Sequence, residues 1–187
     1  MMDQKKIQEL ISRSQQEDAA AFSLLVSTFQ PLVFRLAFRL LCDEDEAKDM
    51  VQETFVKVWL ALGKYNGECR FSTWIYKITC NTCYDRLRSL YHSPLDNEAD
   101  YSVSVNISSD DNVELAVVNK QLRELILRYT DELSPRQRLI FTLRDIEELD
   151  VPEVQIITGL SAGIIKTTLY LARKNIRNKM NQIDAGL

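Results

Sequence analysis

Residues 134–179 read SPRQRLIFTLRDIEELDVPEVQIITGLSAGIIKTTLYLARKNIRNK. Three helix starts are visible in this stretch. Ser134 followed by Pro135 and, three residues on, Gln137 is a capping box with proline at the first helical position. Asp150 and Glu153 repeat the device, and Ser161 supplies a third cap just after Gly159. The spacing predicts a helix over 135–146, a short helix over 151–158, a tight Thr-Gly-Leu-Ser turn and a longer helix over 162–180. Two helices joined by such a turn match a helix-turn-helix.

Placed on a helix at about 100° per residue, Ile165, Leu169, Ala172 and Ile176 form one apolar stripe, a core face. The opposite side begins with Ser161, Ala162 and Gly163 and continues with Lys166, Thr167, Tyr170, Lys174 and Arg177, with Arg173 at its border. Small and polar groups at the start with cations beyond suit a helix whose first turns reach base edges while the rest holds phosphates. An ordinary amphipathic helix with a basic outer face is the plain alternative. The short capped helix before it favours DNA binding.

Outward from this stretch the helical period persists. Phe22, Leu25, Val26, Phe29, Val33, Leu36, Ala37 and Leu40 recur every three or four residues, and Pro31 is expected to break or kink that run. The acidic start "DEDEAKD" favours a helix N-terminus. From there Ala47, Met50, Val51, Thr54, Phe55, Val58 and Leu62 continue the period towards Gly63, the expected C-cap. "KYNGECRF" reads as a turn around Asn66 and Gly67, and Ser72 as the cap of a helix over 74–90. Residues 93–113 have no basic residue, five carboxylates and five serines, and read as a flexible acidic linker. Fully extended it would reach roughly 70 Å at about 3.3 Å per residue. The fold expected is all-α, two small helical domains over 1–92 and 114–187 joined by that linker.

Composition bounds the function. The chain has 187 residues, 45% hydrophobic and 27% charged, with a formal net charge of −4. That average argues against nucleic acid, but the charge is blocked: residues 64–92 carry five basic and two acidic groups, and residues 161–187 five and one. Two basic segments either side of an acidic one suit a protein that touches nucleic acid twice. No secretory signal is visible at the start, and Arg35 and Arg39 interrupt the most apolar run. The expected setting is therefore the cytoplasm, with no membrane insertion and with reduced thiols.

"FSTWIYKITCNTCYDRLRSL" (71–90) admits two readings. Cys80 and Cys83 form a C-x-x-C, a possible half of a metal site. On the same helix Lys77, Asn81, Tyr84 and Arg88 share one face and offer charge, an amide and a stacking ring. Cys42, Cys69 and His92 give no regular structural zinc spacing, so no metal or other cofactor is expected and the cysteines read as packing residues. Phe71 lies in phase with Ile75, Ile78 and Thr82 and reads as core. Arg86 falls on that apolar side, where a charge is expensive unless paired, and a carboxylate such as Asp49 is the expected partner.

Taken together, "EAKDMVQETFVKVW", "FSTWIYKITCNTCYDRLRS" and "LSPRQRLIFTLRDIEELDVPEVQIITGLSAGIIKTTLYLARKNIR" resemble regions 2.2, 2.3–2.4 and 4.2 of the extracytoplasmic-function (ECF) sigma factors of bacterial RNA polymerase. The middle piece keeps the family's pattern as Trp74, Ile75, Ile78, Asn81, Asp85 and Arg88. The resemblance implies that Asp49, Gln52, Glu53, Phe55 and Trp59 dock on core RNA polymerase. It implies that Asn66, Arg70, Ser72, Thr73 and Trp74, with the α-helical set Lys77, Asn81, Tyr84 and Arg88, hold the minus-ten strand of promoter DNA. The helix-turn-helix would read the minus-thirty-five element, and an anti-sigma factor is a further implied partner. No catalytic residue is implied.

The sequence departs from the pattern in one place. Ile164, Thr168 and Leu171 form a neutral stripe where the family often has Thr or Arg, and Gln155 and Ile156 replace small and acidic residues. Fewer phosphate contacts predict weaker DNA affinity and a weaker salt dependence for this part. Three rivals stand beside this reading. The first is a helix-turn-helix regulator that is not a polymerase subunit, which leaves the first half of the chain unexplained. A zinc module lacks ligands, and an enzyme has one histidine and no phosphate loop to build from.

Overall fold

The computed structural model describes residues 3–91, 129–130 and 133–185; the acidic segment 93–113 lies outside the described residues. All elements within them are helical. The N-terminal unit contains α1 (Gln4–Ser14), α2 (Ala19–Leu41), α3 (Glu44–Ala61), a 3-10 turn (Leu62–Lys64) and α4 (Phe71–Tyr91). The C-terminal unit contains α5 (Pro135–Phe141), a π-helical turn (Thr142–Ile146), α6 (Val151–Thr158) and α7 (Ala162–Ala185).

Caps written in the sequence set most boundaries. Asp18 caps α2 by accepting from the Ala21 amide at 3.0 Å and is gripped by Arg13 at 2.9 and 2.7 Å. These bonds, the amide first and Arg13 second, hold its carboxyl below the ordinary value. Asp43 accepts from the amides of Asp45 and Glu46 at 3.0 Å each and opens α3, whose first turn is acidic. In the C-terminal unit both expected capping boxes close. Gln137 N donates to Ser134 Oγ at 3.3 Å, and Glu153 N donates to Asp150 Oδ1 at 2.7 Å. Gly159 ends α6 at φ 71°, a left-handed conformation that suits glycine.

Four local expectations give way to tertiary packing. Helix α2 runs unbroken through Pro31. Burial of Phe29 and Val33 on either side holds it together at a position that costs about 3 kcal/mol in an isolated helix. Gly63 is not a left-handed cap but lies in the 3-10 turn that follows α3. Helix α4 begins at Phe71, with Trp74 N donating to the Arg70 carbonyl at 3.0 Å, so Ser72 stands inside the first turn. The helix expected over 135–146 changes to π geometry at Thr142, which turns Asp145 and Glu147 towards other elements.

Two buried clusters result. One lies among α1, α2, α3 and the start of α4, with Leu25, Val33, Phe55 and Ile75 at its centre. The second joins α2 and α4 to the C-terminal unit. By length and composition α2 could cross a membrane, but Leu25, Val33, Leu36 and Leu40 are all buried inside these clusters. Arg86 does find a carboxylate, though it is Glu46 and not Asp49. Its guanidinium donates to both Glu46 oxygens at 2.6 and 2.5 Å. Glu46 sits on the first turn of α3.

Candidate nucleic-acid interface

The loop between the 3-10 turn and α4 is built from within. Gln15 Nε2 reaches across from the end of α1 to the carbonyls of Leu62 and Tyr65 at 3.0 and 2.9 Å. Tyr65 Oη donates to the Cys69 carbonyl at 2.7 Å, and Asn66 Oδ1 accepts from the Glu68 amide at 3.2 Å. Gly67 takes φ 79°, which a side chain would disfavour. The Tyr65 ring meets Phe71 edge-on at 5.2 Å and Trp74 at 5.3 Å, while Phe71 and Trp74 stack at 5.6 Å. This aromatic knot fixes the loop against the helix. Asn66 and Arg70 are exposed on it, and Ser72, Thr73 and Trp74 are half-buried at the start of α4.

Along α4, Lys77, Asn81 and Arg88 are exposed on the expected face. Tyr84 is half-buried and packs against the cluster shared with the C-terminal unit, so only part of its ring is open to a base. Cys80 and Cys83 are buried, as packing residues should be. Burial pushes the Cys80 thiol up and the Cys83 thiol to about 12. Thiolates, the form a metal needs, are therefore disfavoured there. Among the described residues no group of three or more His, Cys, Asp or Glu side chains could hold a metal ion.

On α3, Asp49, Gln52 and Glu53 are exposed, with Glu53 held to Lys57 at 2.7 Å. Trp59 lies at the surface against Phe22, ring centroids 4.7 Å apart. Phe55, assigned to the same surface from its motif, is buried in the core and packs there instead. Two residues that motif reading missed stand in its place: Val56 and Leu60, the latter 75% exposed. Their signal was in the sequence, since both fall out of phase with the apolar stripe of α3. An apolar pair ringed by Gln52, Glu53 and Trp59 is the composition of a contact surface rather than of a solvated helix.

The helix-turn-helix is as expected. Helices α6 and α7 meet at 102°, and Ile164 N donates to Ser161 Oγ at 3.4 Å at the start of α7. Ile165, Leu169 and Ala172 are buried and Ile176 half-buried. Ser161, Gly163, Lys166, Thr167, Tyr170, Lys174 and Arg177 are exposed, Tyr170 at 67%, with Ala162 half-buried. A Cβ at Gly163 would meet nothing within 4 Å, so packing does not demand glycine there. Arg173 differs from its neighbours. It grips Asp145 of the π-helical turn with two bonds at 2.8 and 2.6 Å, and this pairing raises its already high pKa. The neutral stripe divides: Thr168 is buried, whereas Ile164 and Leu171 are exposed together with Ile156 on α6.

The family description Sigma-70 region 2 matches residues 25–92, and Sigma-70, region 4 matches residues 123–176. The ECF RNA polymerase sigma-E factor of Escherichia coli (strain K12) is 30% identical over 98% of both chains. The chain belongs to the ECF sigma factors. The RNA polymerase sigma-H factor of Pseudomonas aeruginosa is 28% identical over 94% of each chain. Among solved structures, CnrH in complex with the cytosolic domain of CnrY aligns with TM-score 0.67 at 19% identity, covering 96% of this chain and 99% of that one. RpoE of Bartonella quintana, solved with the anti-sigma factor NepR, aligns with TM-score 0.59 at 22% identity over 86% of this ECF factor and 96% of that chain. Both share its fold.

Proposed function

We propose that this ECF sigma factor acts in the cytoplasm as the promoter-reading subunit of bacterial RNA polymerase. Three surfaces divide the work. The exposed side of α3, with Asp49, Gln52, Glu53 and Trp59 joined by Val56 and Leu60, docks on core polymerase. The loop with Asn66 and Arg70, the α4 start with Ser72, Thr73 and Trp74, and Lys77, Asn81, Tyr84 and Arg88 hold the unpaired minus-ten strand. Stacking of a base on an aromatic ring there contributes about 1–3 kcal/mol. The α7 face from Ser161 to Arg177 reads the minus-thirty-five duplex, its early small residues at base edges and Lys174 and Arg177 on phosphates. The nucleotidyl chemistry belongs to the polymerase, so this chain contributes binding and strand separation only.

The observation that carries this reading is the order of the two matched regions along one chain, each presenting an exposed, basic helix face. A regulator outside the polymerase would leave the α3 surface without a use. An anti-sigma factor is a further partner, and the exposed Ile156, Ile164 and Leu171 give it an apolar footing on the C-terminal unit. Run-off transcription with core polymerase on a promoter library tests the reading. Initiation from a distinct subset of promoters is expected. No initiation from any promoter, with inhibitors absent, overturns it.

A further inference from the structure

Two isoleucines stand side by side at the start of α7 and meet opposite surroundings. Ile165 is fully buried, whereas Ile164 is 44% exposed and belongs to neither buried cluster. A β-branched side chain at an exposed helical position lowers helix propensity, so local stability does not call for it either. Its backbone is nonetheless fixed, the amide donating to Ser161 Oγ at 3.4 Å within the first turn. Gly163 beside it carries no side chain, and a Cβ there would meet nothing within 4 Å. The first turn of α7 is therefore open to close approach from outside.

Ile164 also lies on the flank that continues into the basic face. Thr167, Leu171 and Lys174 follow it at helical spacing, and all three are exposed. A helical side chain leans towards the helix N-terminus, so Ile164 projects over the end of α7 that enters a major groove first. Its branched Cβ leaves essentially one rotamer in a helix, so little freedom is lost when it meets a ligand.

The chemistry of the groove then narrows what Ile164 can meet. Every base pair presents hydrogen-bonding groups there, and thymine alone adds an apolar C5 methyl. Ile164 has no side-chain donor or acceptor. Set against a polar edge atom it would strip water without replacing the bond, which is costly. Set against the methyl it removes apolar surface from water on both sides. We propose that Ile164 is a specificity-determining residue that selects thymine in the minus-thirty-five element by contact with its C5 methyl. The selection rests on the duplex-reading role proposed above for α7. Leu171 does not share it, because it lies roughly 10 Å further along the axis at about 1.5 Å per residue, beyond the turns that reach base edges. The apolar footing for an anti-sigma factor is compatible with it, since each partner would cover Ile164 in a different complex.

The test uses polymerase holoenzyme assembled with the full chain, on a promoter recovered from the library. Each thymine of the minus-thirty-five element, on either strand, is replaced singly by deoxyuridine, which lacks only the methyl and keeps every hydrogen-bonding group. Run-off initiation is read at limiting holoenzyme. At one position deoxyuridine should lower initiation about fourfold, equivalent to about 0.8 kcal/mol for one methyl group. Ile164→Ala places a better helix former at an exposed site, so it should fold as the parent does. It should lower initiation from the unmodified promoter by a similar factor and lose nothing more on deoxyuridine at that position. Ile164→Val keeps the branched Cβ and should retain a deoxyuridine loss of about twofold or more. Leu171→Ala should retain the loss in full. A deoxyuridine loss unchanged in Ile164→Ala, one abolished equally by Leu171→Ala, or no thymine whose methyl matters overturns the selection and leaves the sigma-factor reading standing. No initiation from any library promoter overturns the sigma-factor reading, and the selection with it.

Discussion

Helices α4 and α7 both carry cations and both face DNA in this proposal, yet they are built differently. Helix α7 keeps one narrow buried stripe, Ile165, Thr168, Leu169 and Ala172, and leaves most of the rest of its surface open. Helix α4 is buried on more than one side, by Phe71 and Ile75 in the N-terminal core and by Tyr76, Cys80 and Leu87 in the seam between units. A helix laid on the outside of a small unit can be read as a ligand surface from its periodicity alone. A helix in the middle of a bundle spends much of its circumference on packing, and here residue-by-residue exposure shows that Tyr84 keeps only part of its ring open.

The comparison breaks most visibly at the narrow stripe. Ile165→Ala should destabilise the C-terminal unit by about 2–5 kcal/mol, because a fully buried isoleucine has no relaxed neighbour to fill its space. Urea unfolding followed by circular dichroism measures it, and a loss below that range would mean the stripe is not the unit's anchor. Next in size, Asp150→Ala should cost about 1 kcal/mol in the same assay through loss of the α6 cap. On the α4 side, Arg86→Met should cost on the order of 1 kcal/mol, since it leaves the half-buried Glu46 without its two bonds. Wild-type stability of that variant would show that the pair contributes nothing.

Salt dependence sharpens the contrast further. Each phosphate contact adds about 0.7 to the logarithmic salt slope on single strands and about 0.9 on duplex. Lys77→Ala should therefore reduce the slope for the minus-ten single strand and leave the minus-thirty-five duplex unchanged, while Lys174→Ala should do the reverse. Anisotropy titrations across potassium chloride concentrations, using promoters recovered from the library, read both. The smallest effect is expected from Asp145→Asn. Releasing Arg173 from its two bonds should steepen the duplex slope by no more than one contact.

Much of this molecule was legible before its structure. The capping boxes at Ser134 and Asp150 and the left-handed Gly159 are local devices, satisfied within four residues, so the C-terminal helices follow from the chain itself. The motif residues Lys77, Asn81 and Arg88 emerged exposed for the same reason, since a helix fixes which side chains share a face. What failed did so where distant residues intervened. Pro31 is carried through by Phe29 and Val33 packing on both sides, and Arg86 takes Glu46 because of how α3 lies on α4.

The sequence by itself therefore determined the helices, their caps and the two basic faces, because hydrogen bonds and side-chain period act within a few residues. Only the tertiary structure decided that α2 runs through Pro31, that Tyr84 is half-buried, and that Glu147 meets Arg39 and Tyr76. Those outcomes depend on desolvation and on pairings between residues up to 108 positions apart, which no local pattern encodes.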